Sequence, residues 1–355
     1  MAALRDAFAK YGPIFKKTVM GRTIVFFGNP SDVEAVFKGD GRFPVRSDDL
    51  FKPQREYMNS RKLPEGLASL TDGEKWSRLR KALASKMLRP KDIRENLDNF
   101  NSVARDAIER MVAIRGEDDV IPNLEGELAK YATESVGTMA FDLRVGLYED
   151  PPNQDIIKVI QATFDGFKYL GYLNRGWESQ LYRFVTTPSY RKFCKTQDTL
   201  FSIGQKIVDK KVADLKKFTE EGDEFVENQA VPLLTYLILK GELTPQEINV
   251  NSIFMFRAGV ETTSTSLLFL LYDLARYPAV QEKVYEEVTS LIGPHGDFTP
   301  DTFAKLDYLK ACVKESMRLH PAIRWERRLT QDVVLSGYKV PSGVSAPADG
   351  LLNWA

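Results

Sequence analysis

One stretch, from Thr244 to Arg276, reads as a single uninterrupted helix and constrains the fold more than any other part of the chain. Thr244 supplies an N-cap, Pro245 occupies the first helical position, and Glu247 follows three residues after the cap, which together mark a helix start. Pro278 closes the pattern, because the residue before a proline disfavours the helical conformation. At 1.5 Å per residue the helix is roughly 48 Å long, so it must cross a whole domain.

Apolar residues recur at helical spacing through most of the remaining chain, with β-like segments near both of its ends. The other predicted helices are Ser31–Phe37, with a capping box of Ser31 and Glu34, Asp72–Arg89, Lys91–Arg115, Leu124–Phe141, Gln154–Tyr172 and Pro188–Phe218. The predicted hairpins pair Ile14–Val19 with Thr23–Phe27 and Val333–Leu335 with Tyr338–Val340, and residues 40–72 read as loop with short helices. A mainly α fold in one domain, with small β regions near both ends, is therefore predicted.

Charge and residue composition argue against several classes of function. Lys and Arg number 49 and Asp and Glu also number 49, so there is no global basic signature for nucleic acid. The two cysteines, Cys194 and Cys312, lie far apart without metal-ligand spacing, and two histidines are too few for a histidine-based metal site. The most apolar segment, residues 253–274, carries Arg257 and Glu261 near its centre. Each would cost roughly 2.5–3.5 kcal/mol in a bilayer, so we expect a buried helix rather than a membrane span.

Small and polar residues interrupt the apolar middle of the long helix. A glycine inside a helix costs about 1 kcal/mol relative to alanine, and Gly259 follows another small residue, Ala258. This pair allows either close helix–helix packing or the approach of a flat ligand. Glu261 and Thr262 come next, and Thr262 can hydrogen-bond a carbonyl one turn back and bend the helix. These residues form either a solvent-facing polar stripe or a wet, buried site, and the apolar residues on both sides favour burial.

Charged residues recur at helical spacing further along the chain. Glu315 and Arg318 are three positions apart and can pair, and such pairs are most often solvated surface contacts worth roughly 0.2–0.5 kcal/mol. Lys310, Lys314 and Arg318 line up at i, i+4 and i+8 as a basic stripe. Like charges at this spacing are mildly destabilising, so the stripe suits either an acidic partner or solvent.

An earlier basic helix carries Trp76 and Arg80 four positions apart. An arginine held beside an indole can present its fork to a carboxylate or a phosphate. A solvated basic face and a nucleic-acid contact are the alternatives, and the balanced charge of the whole chain weakens the second.

Taken in order, from about Leu4 to about Gly343, these segments resemble the motifs of cytochromes P-450, which are haem-thiolate monooxygenases. The matches are W-x-x-x-R at Trp76–Arg80, A-G-x-[DE]-T at Ala258–Thr262, E-x-x-R at Glu315–Arg318 and a further arginine at Arg327, with Arg328 as its rival. Four motifs in the right order are far more specific than any one of them. The segments Gly73–Lys91 and Tyr308–Pro321 resemble the mitochondrial class of the family in particular.

The resemblance implies haem b as cofactor and a role for each matched residue. Trp76, Arg80 and Arg327 would contact the haem propionates, Ala258 and Gly259 would lie against the haem, Glu261 and Thr262 would relay protons to dioxygen, and Glu315 with Arg318 would fix the fold behind the haem. By position alone, Phe256, Val260 and Ile323 are candidates for the substrate wall.

The mitochondrial class adds a partner and a location. Lys310 and Lys314 match the lysines that dock an acidic ferredoxin in that class, which gives the basic stripe a function. The resemblance implies a hydroxylase of lipophilic, often steroid-like, substrates, peripheral to the mitochondrial inner membrane and with no nucleic-acid partner.

The last residues depart from the family pattern. The loop F-x-x-G-x-R-x-C-x-G, whose cysteine thiolate ligates the haem iron, is not found, and Cys194 and Cys312 lie in helical segments that cannot replace it. We therefore expect residues 1–343 to form a partial domain and residues 344–355 a divergent tail. We also expect no metal ligand from this chain and no monooxygenase activity. The alternative function is a non-catalytic helical protein that binds a partner through its basic surfaces.

Overall fold

The computed structural model describes residues 2–19, 22–41, 43–45, 51–67, 69, 73–87, 94, 96–141, 143–175, 177–220, 233–323 and 325–348. The chain divides into two compact units. The smaller unit comprises residues 1–49, 70–77 and 311–355, and the larger one comprises residues 50–69 and 78–310.

Helices account for most of the described residues. In chain order the elements are α1 Ala2–Tyr11, β1 Ile14–Val19, β2 Arg22–Phe27, α2 Pro30–Gly39, α3 Lys52–Ser60, α4 Gly73–Met87, α5 Leu97–Ile114, α6 Leu124–Phe141, α7 Gln154–Arg175, α8 Glu178–Leu181, α9 Pro188–Glu220, α10 Leu233–Lys240, α11 Pro245–Arg276, α12 Pro278–Ile292, α13 Pro300–Ala304, α14 Asp307–Leu319, β3 Trp325–Arg328, β4 Val333–Leu335, β5 Tyr338–Val340 and β6 Ser345–Ala348. The predicted mainly α architecture is confirmed. None of the described helices is long and apolar enough to cross a membrane.

The smaller unit is built on a four-stranded sheet in the order β1-β2-β6-β3. β1 and β2 form the predicted antiparallel hairpin, with Ile14 opposite Phe27, while β6 lies parallel to β2 and antiparallel to β3. β4 and β5 form the second predicted hairpin. The core of this unit contains Val25, Phe27, Val36, Leu329, Leu335, Val340 and Ala346.

Strand β6 lies just after the predicted domain boundary at residue 343, where the sequence pattern indicated no strand. Pro347 masks the strand in the sequence, because a proline lacks the N–H that a strand interior uses. In the sheet Pro347 lies opposite Glu326 of β3. Residues 345–348 of the predicted tail therefore belong to the sheet, and residues 349–355 lie outside the described part of the chain.

Helix α11 is the central helix of the larger unit. Both halves of the predicted capping box are present, from the Thr244 side chain to the Glu247 backbone and from the Glu247 side chain back to Thr244. α11 runs antiparallel to α6, since the Phe256 ring centroid lies 5.3 Å from that of Phe141 and Gly259 lies opposite Val136.

Two sequence predictions on helix starts have different outcomes. The capping box of Thr244 is confirmed, whereas that of Ser31 and Glu34 is wrong. α2 begins at Pro30, after Asn29, and has no side-chain cap. Glu34 instead pairs with Lys38 at 2.7 Å. A proline at the first helical position has its φ angle already set for a helix, so α2 starts before the serine.

Candidate functional site

The two small residues in the middle of α11 have different surroundings. A Cβ atom on Gly259 would collide with the Val136 side chain on α6, so this glycine allows two helices to approach closely. Ala258 is exposed. Close helix packing therefore explains Gly259, while the Ala258 side of the helix is open to a ligand.

Glu261 and Thr262 continue the open side of α11. The Thr262 hydroxyl donates a hydrogen bond to the Ala258 carbonyl oxygen at 2.8 Å, which is the contact one turn back that the sequence predicted. α11 nevertheless continues without a break through this turn. Burial raises the pKa of Glu261 to about 7, with Arg257 acting to lower it and Glu125 to raise it further. Glu261 can therefore both hold and release a proton near neutral pH.

Arg257 is the residue that sequence reasoning missed. In the sequence, Arg257 was evidence only against a membrane span, yet the residue is only 5% exposed. One guanidinium nitrogen, Nη1, donates to Gln54 Oε1 at 3.0 Å and to Gln197 Oε1 at 3.2 Å. The available signal was an arginine inside an apolar helical stretch. Arginines are rarely buried without a partner, so its position indicated polar groups nearby.

The three predicted substrate-wall residues lie in two different environments. Phe256 and Val260 are buried, and Phe256 packs against Phe141 of α6. Ile323, in the smaller unit, is 66% exposed. Their assignment to a substrate wall stays a prediction.

The predicted haem-propionate contacts on α4 lie one turn apart. Trp76 is half-buried and Arg80 is exposed, so the arginine fork is available to a carboxylate. Between them in sequence, Arg78 pairs with Glu247 of the α11 capping box. This ion pair joins α4 to the start of α11.

The further predicted contact, Arg327, is already engaged within the smaller unit. Its Nε atom donates to Asp40 Oδ2 at 2.7 Å, and its guanidinium lies 5.1 Å from the centre of the Phe37 ring. Arg328 is exposed, and successive side chains of a strand point to opposite faces. A propionate at Arg327 would share the guanidinium with Asp40, whereas Arg328 presents an exposed one.

Glu315 and Arg318 form the expected pair on α14. Arg318 Nε lies 2.7 Å from Glu315 Oε2, and Nη2 lies 2.5 Å from Oε1. The forked geometry is the stronger kind of carboxylate–arginine contact. Its role in fixing the fold behind a haem stays a prediction.

The two lysines of the basic stripe differ in freedom. Lys310 donates from Nζ to the Ala304 carbonyl oxygen at 2.7 Å and lies 5.4 Å from the centre of the Phe303 ring. Lys314 is exposed. A partner approaching α14 would therefore find Lys314 on the surface and Lys310 partly held by its own chain.

Neither cysteine has the surroundings of a metal ligand. Cys194 and Cys312 are reduced thiols of intermediate burial, and burial raises the pKa of Cys194, which disfavours the thiolate that binds metals. Within the described residues, no group of three or more His, Cys, Asp or Glu side chains could hold a metal ion.

Comparison with known proteins gives a family match and several relatives. The family model described as Cytochrome P450 matches residues 1–346. Cytochrome P450 27C1 of Danio rerio is 30% identical over 344 residues, covering 94% of this chain and 61% of the relative. Sterol 26-hydroxylase, mitochondrial, of Rattus norvegicus is 29% identical, covering 94% and 62%. The 1,25-dihydroxyvitamin D(3) 24-hydroxylase, mitochondrial, of Rattus norvegicus is 28% identical, covering 96% and 64%. The chain thus spans less than two thirds of the length of these relatives.

Proposed function

The chain belongs to the cytochrome P450 family, and on that premise we propose that its function is that of a haem-dependent monooxygenase, which hydroxylates a lipophilic, steroid-like substrate. The observation that carries the proposal is the acid–hydroxyl pair on the open side of α11. The pKa of Glu261 is raised to about 7, and the Thr262 hydroxyl is held against the Ala258 carbonyl. Relatives named as sterol and vitamin D hydroxylases support the substrate class.

Members of the family bind haem b, and the residues of this chain fit that group. Ala258 leaves the surface of α11 free of a large side chain, as the approach of a flat ring requires. Trp76 and Arg80, one turn apart on α4, are the proposed contacts of one propionate. Arg327, or its exposed neighbour Arg328, stays a separate candidate within the smaller unit. Haem, when bound, supplies the iron at which dioxygen is activated.

The proposed work of the chain itself is to move protons. A pKa near the working pH gives a general acid both the right protonation state and enough driving force. Glu261 meets that condition because burial destabilises its charged form. The hydrogen of the Thr262 hydroxyl is directed to Ala258, so the oxygen is left to accept a hydrogen bond from a water or from an acid. Thr262 can therefore hold a water on the Ala258 side of the helix, and Glu261 can give a proton to that water.

A ferredoxin is the proposed electron donor. Lys314 is exposed on α14, and Lys310 lies one turn before it. An acidic partner would be steered to such a stripe, and the association would weaken with salt because the Debye length is about 8 Å at 0.15 M. Replacing both lysines with glutamate should lower the rate of electron transfer and flatten its dependence on salt.

The proposed location is the mitochondrion, at the inner membrane surface. The relatives' names include the word mitochondrial. A cluster of large apolar side chains around α8 supports a peripheral membrane contact, because exposed apolar patches mark such sites. Its members are Trp177, Leu181, Phe184 and Val185, of which Phe184 is 83% exposed.

Replacement of Thr262 tests the central proposal. In a version of the chain completed with the cysteine loop, we expect Thr262→Ala to lower the amount of product formed per dioxygen consumed, while haem content and substrate binding stay level. Thr289→Ala is the matched control, because the Thr289 hydroxyl makes the same type of bond, to the Tyr285 carbonyl at 2.7 Å, on the neighbouring helix α12. An unchanged ratio in Thr262→Ala would reduce the hydroxyl to a helix contact.

A spectrum of the reduced carbon monoxide complex separates the enzyme from its alternative. A version of the chain completed with the cysteine loop should give a thiolate-type Soret band, which would support the monooxygenase, whereas the 355-residue chain should give none. A protein that takes up no haem but binds an acidic partner through its basic surfaces would be the non-catalytic helical protein instead.

A further inference from the structure

The side of α11 that carries Arg257 faces α3, α7 and α9 rather than α6. Gln54 belongs to α3 and Gln197 to α9, and Phe167 of α7 lies with its ring centre 4.5 Å from the guanidinium carbon. Gly166, also on α7, lies against the same cluster, since a Cβ atom there would be 3.3 Å from Gln197 Nε2 and 3.5 Å from Arg257 Nη2. Arg257 is therefore enclosed by three helices besides its own.

The buried groups around Arg257 offer more donors than acceptors. Nη1 is satisfied by the two glutamine oxygens, but Arg257 Nε, Arg257 Nη2 and Gln54 Nε2 find no hydrogen-bond partner among the described residues. All three are N–H donors. Gln197 does not relieve the excess, because its own Nε2 donates to Thr196 Oγ1 at 3.1 Å. Buried donors without acceptors are costly, so the cluster calls for acceptor oxygens.

The charge of the cluster is also unbalanced. A buried guanidinium needs a counter-charge to offset its lost hydration. Among the described residues, the acidic group that acts on it is Glu261, one turn further along α11, and burial keeps that carboxyl partly protonated near neutral pH. A ligand carboxylate would supply both the missing negative charge and two acceptor oxygens in a geometry that matches the guanidinium fork.

Aromatic rings lie beside the donors. Phe254 precedes Arg257 by one turn of α11, its ring centroid lies 5.7 Å from that of Phe201, and Phe201 lies 5.9 Å from Tyr57. These rings offer an apolar wall next to a fixed cation. Phe254 and Ala258 are not fully buried, so this part of α11 borders its open side.

From this arrangement we infer that Arg257 and Gln54 form a binding site for the carboxylate of a lipophilic acid, and that the substrate bound beside α11 carries such a group. The inference rests on the proposed function only in calling this ligand the substrate. Arg257 is then the residue that selects acidic over neutral lipophilic compounds.

Matched ligands test the site directly by isothermal titration calorimetry. Dodecanoate and 1-dodecanol have the same chain length and differ in the charged head group. We expect the 355-residue protein to bind dodecanoate about tenfold more tightly, which corresponds to about 1.4 kcal/mol, because a carboxylate accepts a stronger hydrogen bond from a guanidinium than a neutral alcohol does. Arg257→Met should abolish the preference, and Arg257→Lys should restore part of it.

Two further variants complete the comparison. Arg276→Met removes an exposed arginine of the same helix and should leave the preference intact. Gln54→Met removes one unpartnered donor and should reduce the preference without abolishing it, which keeps the inference testable if Arg257→Met fails to fold. Equal affinity for both ligands in the wild type, binding of neither, or an unchanged preference in Arg257→Met would overturn the inference.

A haem titration and the same pair of ligands, both applied to a version of the chain completed with the cysteine loop, separate this inference from the proposed function. A protein that prefers dodecanoate but takes up no haem would leave the carboxylate site standing and remove the monooxygenase. A protein that binds haem and treats acid and alcohol alike would leave the monooxygenase and remove the site.

Discussion

Buried charged groups on the two sides of α11 differ in whether the chain itself supplies all of their hydrogen-bond partners. On the α6 side, the carboxylate of Glu134 is fully buried and accepts three hydrogen bonds. The donors are Arg144 Nε at 2.9 Å, the Val145 amide at 3.1 Å and the Leu147 amide at 2.6 Å. On the α3, α7 and α9 side, the buried Arg257 keeps donors without acceptors. A charge that the chain satisfies by itself stabilises the fold, whereas a charge left partly unsatisfied points to a ligand.

The largest expected effect is on the satisfied charge. Glu134→Leu should lower the free energy of unfolding by about 3–5 kcal/mol, because it leaves two buried amides and the Nε atom of Arg144 without their acceptor. Denaturant unfolding measures it. The matched control is Glu109→Leu, an exposed glutamate on α5, which should change stability by roughly 0.5 kcal/mol or less. A comparable loss in both variants would show that Glu134 is not a structural charge.

The packing on the α6 side gives the next largest effect. Gly259→Ala should destabilise by about 1–3 kcal/mol, because its Cβ would collide with Val136 in a close-packed contact. Gly171→Ala on α7 is the matched control: nothing lies within 4 Å of its Cβ position, so the better helix propensity of alanine should stabilise by up to about 1 kcal/mol. Changes of the same sign at both glycines would mean that α6 and α11 can separate without cost.

On the opposite side, Arg257→Met should change the free energy of unfolding by no more than about 1–2 kcal/mol. The variant loses the hydrogen bonds to two glutamine oxygens, but it also removes a buried cation whose desolvation cost is only partly offset by its contacts. Comparison with Glu134→Leu in the same denaturant series checks this. A loss as large as that of Glu134→Leu would make Arg257 a structural charge like Glu134 and would weaken the carboxylate site.

These two sides were not equally predictable from the sequence. The long helix, its capping box and the bond from Thr262 to Ala258 follow from local rules, so the residue pattern predicted them. The separation of Gly259 from Ala258 into a packed and an open residue depends on where α6 lies, which no local pattern contains. The sequence left both alternatives open: close helix packing is found at Gly259, and the approach of a ligand at Ala258 stays a prediction.

Arg257 shows most clearly what a sequence pattern cannot supply. Its partners, Gln54 and Gln197, are distant in sequence and belong to helices of their own. Whether its donors are satisfied depends on the side-chain geometry of several helices at once. The same holds for Arg327, whose ion pair with Asp40 joins residues far apart in the chain. Motif order therefore identified the family, but could not distinguish engaged arginines from available ones.

The smallest expected effect concerns Glu261, which lies between the two sides of α11 and interacts electrostatically with Arg257. Burial raises its pKa in the folded chain from the ordinary 4.5 to about 7, so the folded state holds this proton more tightly than the unfolded state. The stabilisation is fully present below about pH 4.5 and is lost as the pH rises through about 7. Glu261→Gln, which cannot ionise, should therefore exceed the wild type in stability at pH 8 and lose that advantage towards pH 5. We expect a difference of about 1 kcal/mol, because the carboxyl is partly solvated and its charge is screened. Unfolding curves measured from pH 5 to pH 8 check this, with the exposed Glu282→Gln on α12 as control.

Since Arg257 acts to lower the pKa of Glu261, Arg257→Met should shift the pH-dependent loss of stability to higher pH. If that variant keeps the wild-type profile, the two groups are not coupled and the unbalanced side of α11 has no internal counter-charge at all.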